Sequence, residues 1–230
     1  MKARLCAGLA AGVLMMSSAH AATLINGDFE QPGVGQFTFL TSNFLPGWAY
    51  DSKGTESAGY NPSGGNGGAP AQSGNYYVSW GHSGGYGGTL SQTFTTAINQ
   101  AYSVSYYLTQ QQISVVDQFT QNQSVTATAY DGATPLGMLT TLLVTPDNQW
   151  NLYTFNFVAT STSTTLTFFD ATPADGGGNS NWGLDTVSVN AVLAPGATPL
   201  PAALPMFLGG AGLVGWMARR KRRSGAAVAA

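Results

Sequence analysis

The chain of 230 residues has one cysteine, Cys6, and two histidines, His20 and His82. Once the N-terminal segment described below is removed, no thiol remains. Disulfide frameworks, thiolate metal sites and cysteine nucleophiles are then excluded, and a single remaining histidine cannot build a zinc site. Positive charge is equally scarce. Lys2 and Arg4 open the chain and Arg219, Arg220, Lys221, Arg222 and Arg223 lie near its end, which leaves Lys53 alone in the body against ten acidic residues. A body with one cation cannot neutralise a phosphate backbone, so nucleic acid is excluded as its partner. No glycine-rich stretch ends in Lys-Ser or Lys-Thr, which removes phosphate-loop chemistry. Sustained helical periodicity is missing between the two ends.

What is present starts with "MKARLCAGLAAGVLMMSSAHA". A basic start, an apolar run from Leu5 to Met16 and the small-x-small site Ala19-His20-Ala21 predict a secretory signal peptide over residues 1–21, cut after Ala21. The apolar run falls short of the ~20 residues that a membrane span needs. About 175 residues remain before the tail, enough for one domain to bury a core without cross-links.

That body, residues 22–193, is rich in Gly, Ser, Thr, Asn and Gln with aromatic and β-branched residues. Its clearest segments alternate. In "YSVSYYL", Tyr102, Val104, Tyr106 and Leu108 share one face. In "SVTATAY", Val125, Ala127 and Ala129 oppose Thr126, Thr128 and Tyr130. "WNLYTFNFV", "TTLTFFD", "DTVSVNAV", "NYYVSW", "GTLSQTF", "MLTTLLV" and a short strand at Leu24–Ile25 bring the count to eight or nine. With turn signals at Asp131-Gly132 and Pro146-Asp147-Asn148, these predict an all-β, antiparallel β-sandwich. Glycine-rich loops are expected at 61–75, 81–88 and 173–181.

Catalytic signatures fail on inspection. "GHSGG" at Gly81–Gly85 matches a nucleophile elbow, but a strand follows it rather than a helix, and no histidine comes after His82. Asp51, Glu56, Asp117, Asp170 and Asp175 show no spacing that pairs two of them for glycoside hydrolysis. The expectation is a protein that is not an enzyme, with a secreted hydrolase as the weakest alternative.

"LINGDFEQPG", "LPGW", "FNFVATSTSTTLTFFD" and "NWGLDTVSVN" together resemble the galactose-binding-like jelly roll of many secreted proteins and several carbohydrate-binding modules. The resemblance implies two packed sheets, and a structural calcium ion held by Asp28, Glu30 and Asp185, since converging carboxylates need a cation between them. The aromatics Trp48, Tyr50, Tyr60, Tyr86 and Trp182 sit in or beside predicted loops. Tyr60, Tyr86 and Trp182 are the candidates for stacking on sugar, whereas Trp48, after Pro46-Gly47, is better placed in the core.

Ala194–Thr198 reads as a linker to "TPLPAALPMFLGGAGLVGWMARRKRR". The apolar segment 200–218 predicts a single C-terminal hydrophobic helix, short for a span, with the basic cluster 219–223 on the cytoplasmic side and a tail at 224–230. The order of motif (Pro199, Leu200, Pro201, Ala202), apolar segment and basic cluster resembles a PEP-CTERM sorting signal of the VPLPA-CTERM variant, over 199–223. Thr198 stands where that variant has Val. The resemblance implies an exosortase-type membrane enzyme of a Gram-negative bacterium as partner, cleavage near the motif, and release to the cell surface or an exopolysaccharide matrix; an uncleaved anchor is the alternative. The resulting expectation is an exported, sorted protein with a structural or adhesive role, or a carbohydrate-binding module with a specific glycan.

Overall fold

The computed structural model describes residues 22–53, 58–65, 68–81, 87–111, 123–144, 147–173 and 182–192. The signal segment with Ala21, the linker and the whole sorting segment lie outside the described residues. So do Glu56, His82, Tyr86, Asp117 and Asp175. Eleven strands are described: β1 (Thr38–Phe39), β2 (Ala49–Asp51), β3 (Ala58–Pro62), β4 (Tyr76–Trp80), β5 (Thr89–Thr95), β6 (Ala101–Gln110), β7 (Gln123–Asp131), β8 (Thr134–Leu143), β9 (Asn151–Val158), β10 (Ser163–Asp170) and β11 (Trp182–Ala191). They form a six-stranded sheet, β1-β3-β4-β11-β6-β9, and a five-stranded sheet, β2-β5-β10-β7-β8. Every pairing is antiparallel. This is the sandwich that the alternation predicts.

Strict two-residue periodicity explains the layers. Tyr102, Val104, Tyr106 and Leu108 of β6 are fully buried, while Ser103 and Ser105 between them face outward and stay half-buried. Across the interior, the Phe168 ring of β10 meets Tyr106 edge-on at 5.0 Å and Trp48 at 6.2 Å. Aromatic rings bury large areas and lock neighbours in place, which gives a chain without cross-links its rigidity. The Asp131-Gly132 signal is the tight turn of the β7–β8 hairpin, with Asp131 opposite Thr134 and Gly132 at φ +56°.

Two expectations change. Leu24–Ile25 is not a strand. The Gln92 side chain takes the place of a partner strand there: its Oε1 accepts from the Ile25 N–H at 2.6 Å and its Nε2 donates to the Ile25 carbonyl at 2.9 Å. Positive φ at Asn26 and Phe29 then turns the chain out of extended geometry. Conversely, β1 to β3 are too short, or too rich in Gly and Pro, to announce themselves by alternation.

The "NGDFE" stretch clasps the start of the domain to its last strand. Phe29 is buried, Asn26 exchanges two hydrogen bonds with the Gln31 backbone, and the Val187 N–H donates to the Gly27 carbonyl at 2.7 Å. A Cβ at Gly27 would collide with the Val187 carbonyl oxygen. Gly27→Ala is therefore expected to cost about 1–3 kcal/mol, read as a lowered thermal midpoint.

Candidate functional site

The three acids expected around calcium do not come together. Among the described residues, no group of three or more acids, histidines or cysteines is placed to hold a metal ion. Each carboxylate is engaged separately. Glu30 caps the start of β4: its Oε1 accepts from the backbone N–H of Asn75 at 2.8 Å and of Tyr76 at 3.0 Å. Asp28 accepts only a long bond from the Glu30 N–H, 3.5 Å. Asp185 accepts from the N–H groups of Gln72, Ser73 and Thr186 at 2.9, 3.2 and 2.6 Å. Each of the three carboxylates thus meets its own backbone donors.

Asp185 also sits on the other face from the one its spacing predicts. Simple parity places it with Val187 and Val189. A β-bulge intervenes: Asp185 pairs with Tyr107 but Ser188 with Ser105, so β11 carries one extra residue there. Thr186 absorbs it at φ +50°. Val187 and Val189 point inward, and Asp185 lies on the outer face of the six-stranded sheet, where residues 72 and 73 cover it completely. Burial pushes its carboxyl up to about 7, against the pull of the three N–H donors and the Thr186 hydroxyl.

Of the aromatic candidates, Tyr60 and Trp182 are core residues, and Tyr86 lies outside the described residues. Tyr60 is fully buried in β3, stacked on Tyr76 at 4.7 Å, and its hydroxyl accepts from the Gly33 N–H at 3.1 Å. Burial pushes that hydroxyl up to about 12. Trp182 opens β11, fully buried, with its ring on Trp80 at 3.9 Å and 9° between planes. Neither can stack on a ligand from solvent. Their glycine-rich surroundings pointed to loops, but strand pairing carries both rings inward. Trp48 and Tyr50 are buried as well, the former as its sequence position implies.

Sequence inspection passed over the outer face of the five-stranded sheet. Register lines up hydroxyl side chains across strands. Thr89, Phe169, Thr126 and Thr140 form one row, and Ser91, Thr167 and the buried Thr128 the next. Thr93 and Thr165 hydrogen-bond at 2.8 Å, and Thr126 and Thr140 at 3.0 Å. Phe169 is 39% exposed within this hydroxyl field, and Tyr130 stands on the same face opposite Thr165. Four residues of strand separate the two aromatic registers, about 13 Å. Beside β2 and β5 the face runs into an open groove of about 360 Å³, lined by Asn43, Pro46, Ser91, Gln92 and Thr93 among others, none of them charged. Among the described residues, the charges at this edge are Asp51 and Lys53, paired with each other at 3.1 Å. The signal was there to find: Thr-x-Thr recurs in "TFT", "TAT" and "TLT".

Residues 22–190 match the family described as "Protein of unknown function (DUF642)". The chain belongs to this family. No curated protein sequence matches the chain. Among solved structures, the DUF642 domain is similar to a Stig cyclase from Fischerella sp. TAU, crystallised with an indole compound. The TM-score is 0.60 at 18% identity, over 77% of this chain and all of the cyclase. It is also similar to an arabinose-bound α-L-arabinofuranosidase, with TM-score 0.50 at 14% identity, over 75% of this chain and 27% of that one. A carbohydrate-binding module in complex with β-1,4-galactotriose gives 0.47 at 15% identity, over 76% of this chain and all of that module. At these identities the likeness is one of fold, and a fold of this kind hosts unrelated functions.

Proposed function

We propose that this DUF642 domain is an exported, non-catalytic module that associates with neutral polysaccharide through the outer face of its five-stranded sheet. The observation that carries this is the hydroxyl field beside Phe169, which has an exposed aromatic in its end row and an uncharged groove at its edge. Sugars are recognised by apolar ring contact combined with hydrogen bonds to hydroxyls, and this face offers both. Charge narrows the class. With ten acidic residues and Lys53 as the one cation of the body, an anionic polymer is repelled and a neutral one is not. The signal peptide and the PEP-CTERM-like tail support export, processing by an exosortase-type enzyme and a place at the surface or in an exopolysaccharide matrix.

Affinity electrophoresis through gels containing neutral or anionic polysaccharide tests the proposal. Retardation is expected in a neutral gel. Phe169→Ala should weaken it about tenfold, the equivalent of ~1.4 kcal/mol, with only a small fall in thermal midpoint because the ring is part-exposed. Retardation in the anionic gel alone, or undiminished binding by Phe169→Ala, would refute this assignment.

A further inference from the structure

Among the described residues, β1 and β9 flank the six-stranded sheet, and β2 and β8 flank the five-stranded one. The open side of a flanking strand presents a row of backbone N–H and C=O groups to which another chain can pair. Folded domains guard such edges with short strands, charge or a covering segment. Three of these four are guarded. β1 has two residues and β2 three, with the Asp51–Lys53 pair at the latter. β9 lies against β8, so closely that a Cβ at Gly137 would strike the Asn156 carbonyl oxygen. β8 differs on every count. It runs for ten residues, and the sequence carries no charge anywhere between Asp131 and Asp147. Among the described residues its backbone pairs with β7 alone. Burial alternates along it, so Met138, Thr140 and Leu142 stand on the outer face, both apolar side chains 58% exposed.

We propose that β8 pairs with the β8 of a second copy of this chain, antiparallel about a two-fold axis at Thr140, which joins two domains edge to edge. The spacing selects that occupant. Met138 and Leu142 lie two residues either side of Thr140. The axis therefore sets Met138 beside the partner's Leu142 and Leu142 beside the partner's Met138. No other centre within β8 sets both against apolar side chains; a centre at Leu139, for instance, places Met138 against the partner's Thr140. An isologous interface requires this match of a strand with its own reverse. The absence of charge matters equally, because a charge on the axis would meet itself.

Pairing also extends the outer face. Thr89, Phe169, Thr126 and Thr140 stand in one register row. The axis carries that row on through the partner's Thr140, Thr126 and Phe169, and the two five-stranded sheets become one. Five strand spacings separate the two Phe169 rings, about 24 Å, which suits a run of linked sugars and not a single one. The joined face rests on the polysaccharide reading above, whereas the pairing itself does not.

The test places cysteines in the full-length chain, solubilised in detergent, with Cys6→Ser as background so that no other thiol is present. Thr140→Cys, whose thiols meet at the axis within disulfide reach, is expected to cross-link to its own copy about tenfold more than Thr95→Cys, at an exposed position on β5. Added to the Thr140→Cys chain, Met138→Lys or Leu142→Glu alone should each cut that yield about tenfold, by setting a charge against an apolar side chain. The two together should restore it, because the axis then places opposite charges side by side across the interface. Thermal midpoints should stay near that of the parent chain, since both side chains are exposed, which separates lost pairing from lost folding. Equal cross-linking at the two cysteine positions, or a double variant no better than either single one, would overturn the pairing. A dimer that no neutral gel retards would sink the polysaccharide reading while the pairing stands. Retardation of a chain that is monomeric throughout would sink the pairing and leave that reading in place.

Discussion

Trp80→Ala is expected to destabilise the domain by about 3–5 kcal/mol, the range for removing a large buried aromatic. In a domain of this size that lowers the thermal midpoint by on the order of 10 °C. The ring is fully buried, stacked face to face on Trp182 at 3.9 Å, and carried by a strand that pairs with β3 on one side and β11 on the other. Its loss therefore leaves a cavity at a seam of three strands, where collapse is resisted by the sheet itself. Trp80→Phe should cost less, because part of the stack survives. Trp150→Ala offers a contrast. Its ring is only partly buried and meets Tyr77 edge-on at 5.5 Å, so the expected loss is well under half that of Trp80→Ala. Equal losses at the two positions would mean that the Trp80–Trp182 stack is not the packing element it looks to be.

The second large effect is a dependence on pH that runs opposite to ordinary acid denaturation. Burial raises the Asp185 carboxyl from 3.8 to about 7. The folded chain therefore holds a proton there that the unfolded chain has released, over the window between those two values. Stability is greatest below the unfolded value and falls as pH rises toward 7, with a slope approaching ~1.4 kcal/mol per pH unit. Above 7 this group contributes no further change. The thermal midpoint should drop by ~2–4 °C per unit across the window. Of the tyrosines beside Asp185, Tyr107 across the strand pair and Tyr77, the hydroxyl of Tyr77 is pushed up to about 12 by burial and stays neutral throughout. Asp131 is held low by the hydroxyls of Thr160 and Ser161, but it is the same in wild type and variant and cancels in the comparison. Asp185→Asn should flatten the profile between pH 4 and 7. A wild-type midpoint that climbs over this interval would show that the N–H donors of residues 72, 73 and 186 outweigh desolvation.

By itself, the sequence determined the class of fold and most of the inner faces. Alternation in β6, β7, β9 and β10 assigns Tyr102, Val125, Phe155 and Phe168 to the interior, because a two-residue period is a property of the chain and needs no partner to be read. It also determined the near-absence of positive charge in the body, which is a matter of composition. Only the tertiary structure decided where Asp185 points, because one extra residue in β11 reverses the parity after it, and nothing local to "LDTVSV" marks a bulge. The same holds for Tyr60 and Trp182, whose glycine-rich neighbours predict loops until pairing draws them inside, and for Ile25, whose partner is a side chain 67 residues away. The threonine rows and the open edge of β8 belong to this second kind as well. Each is a relation between strands distant in the chain, and register and burial arise only when the sheets have closed.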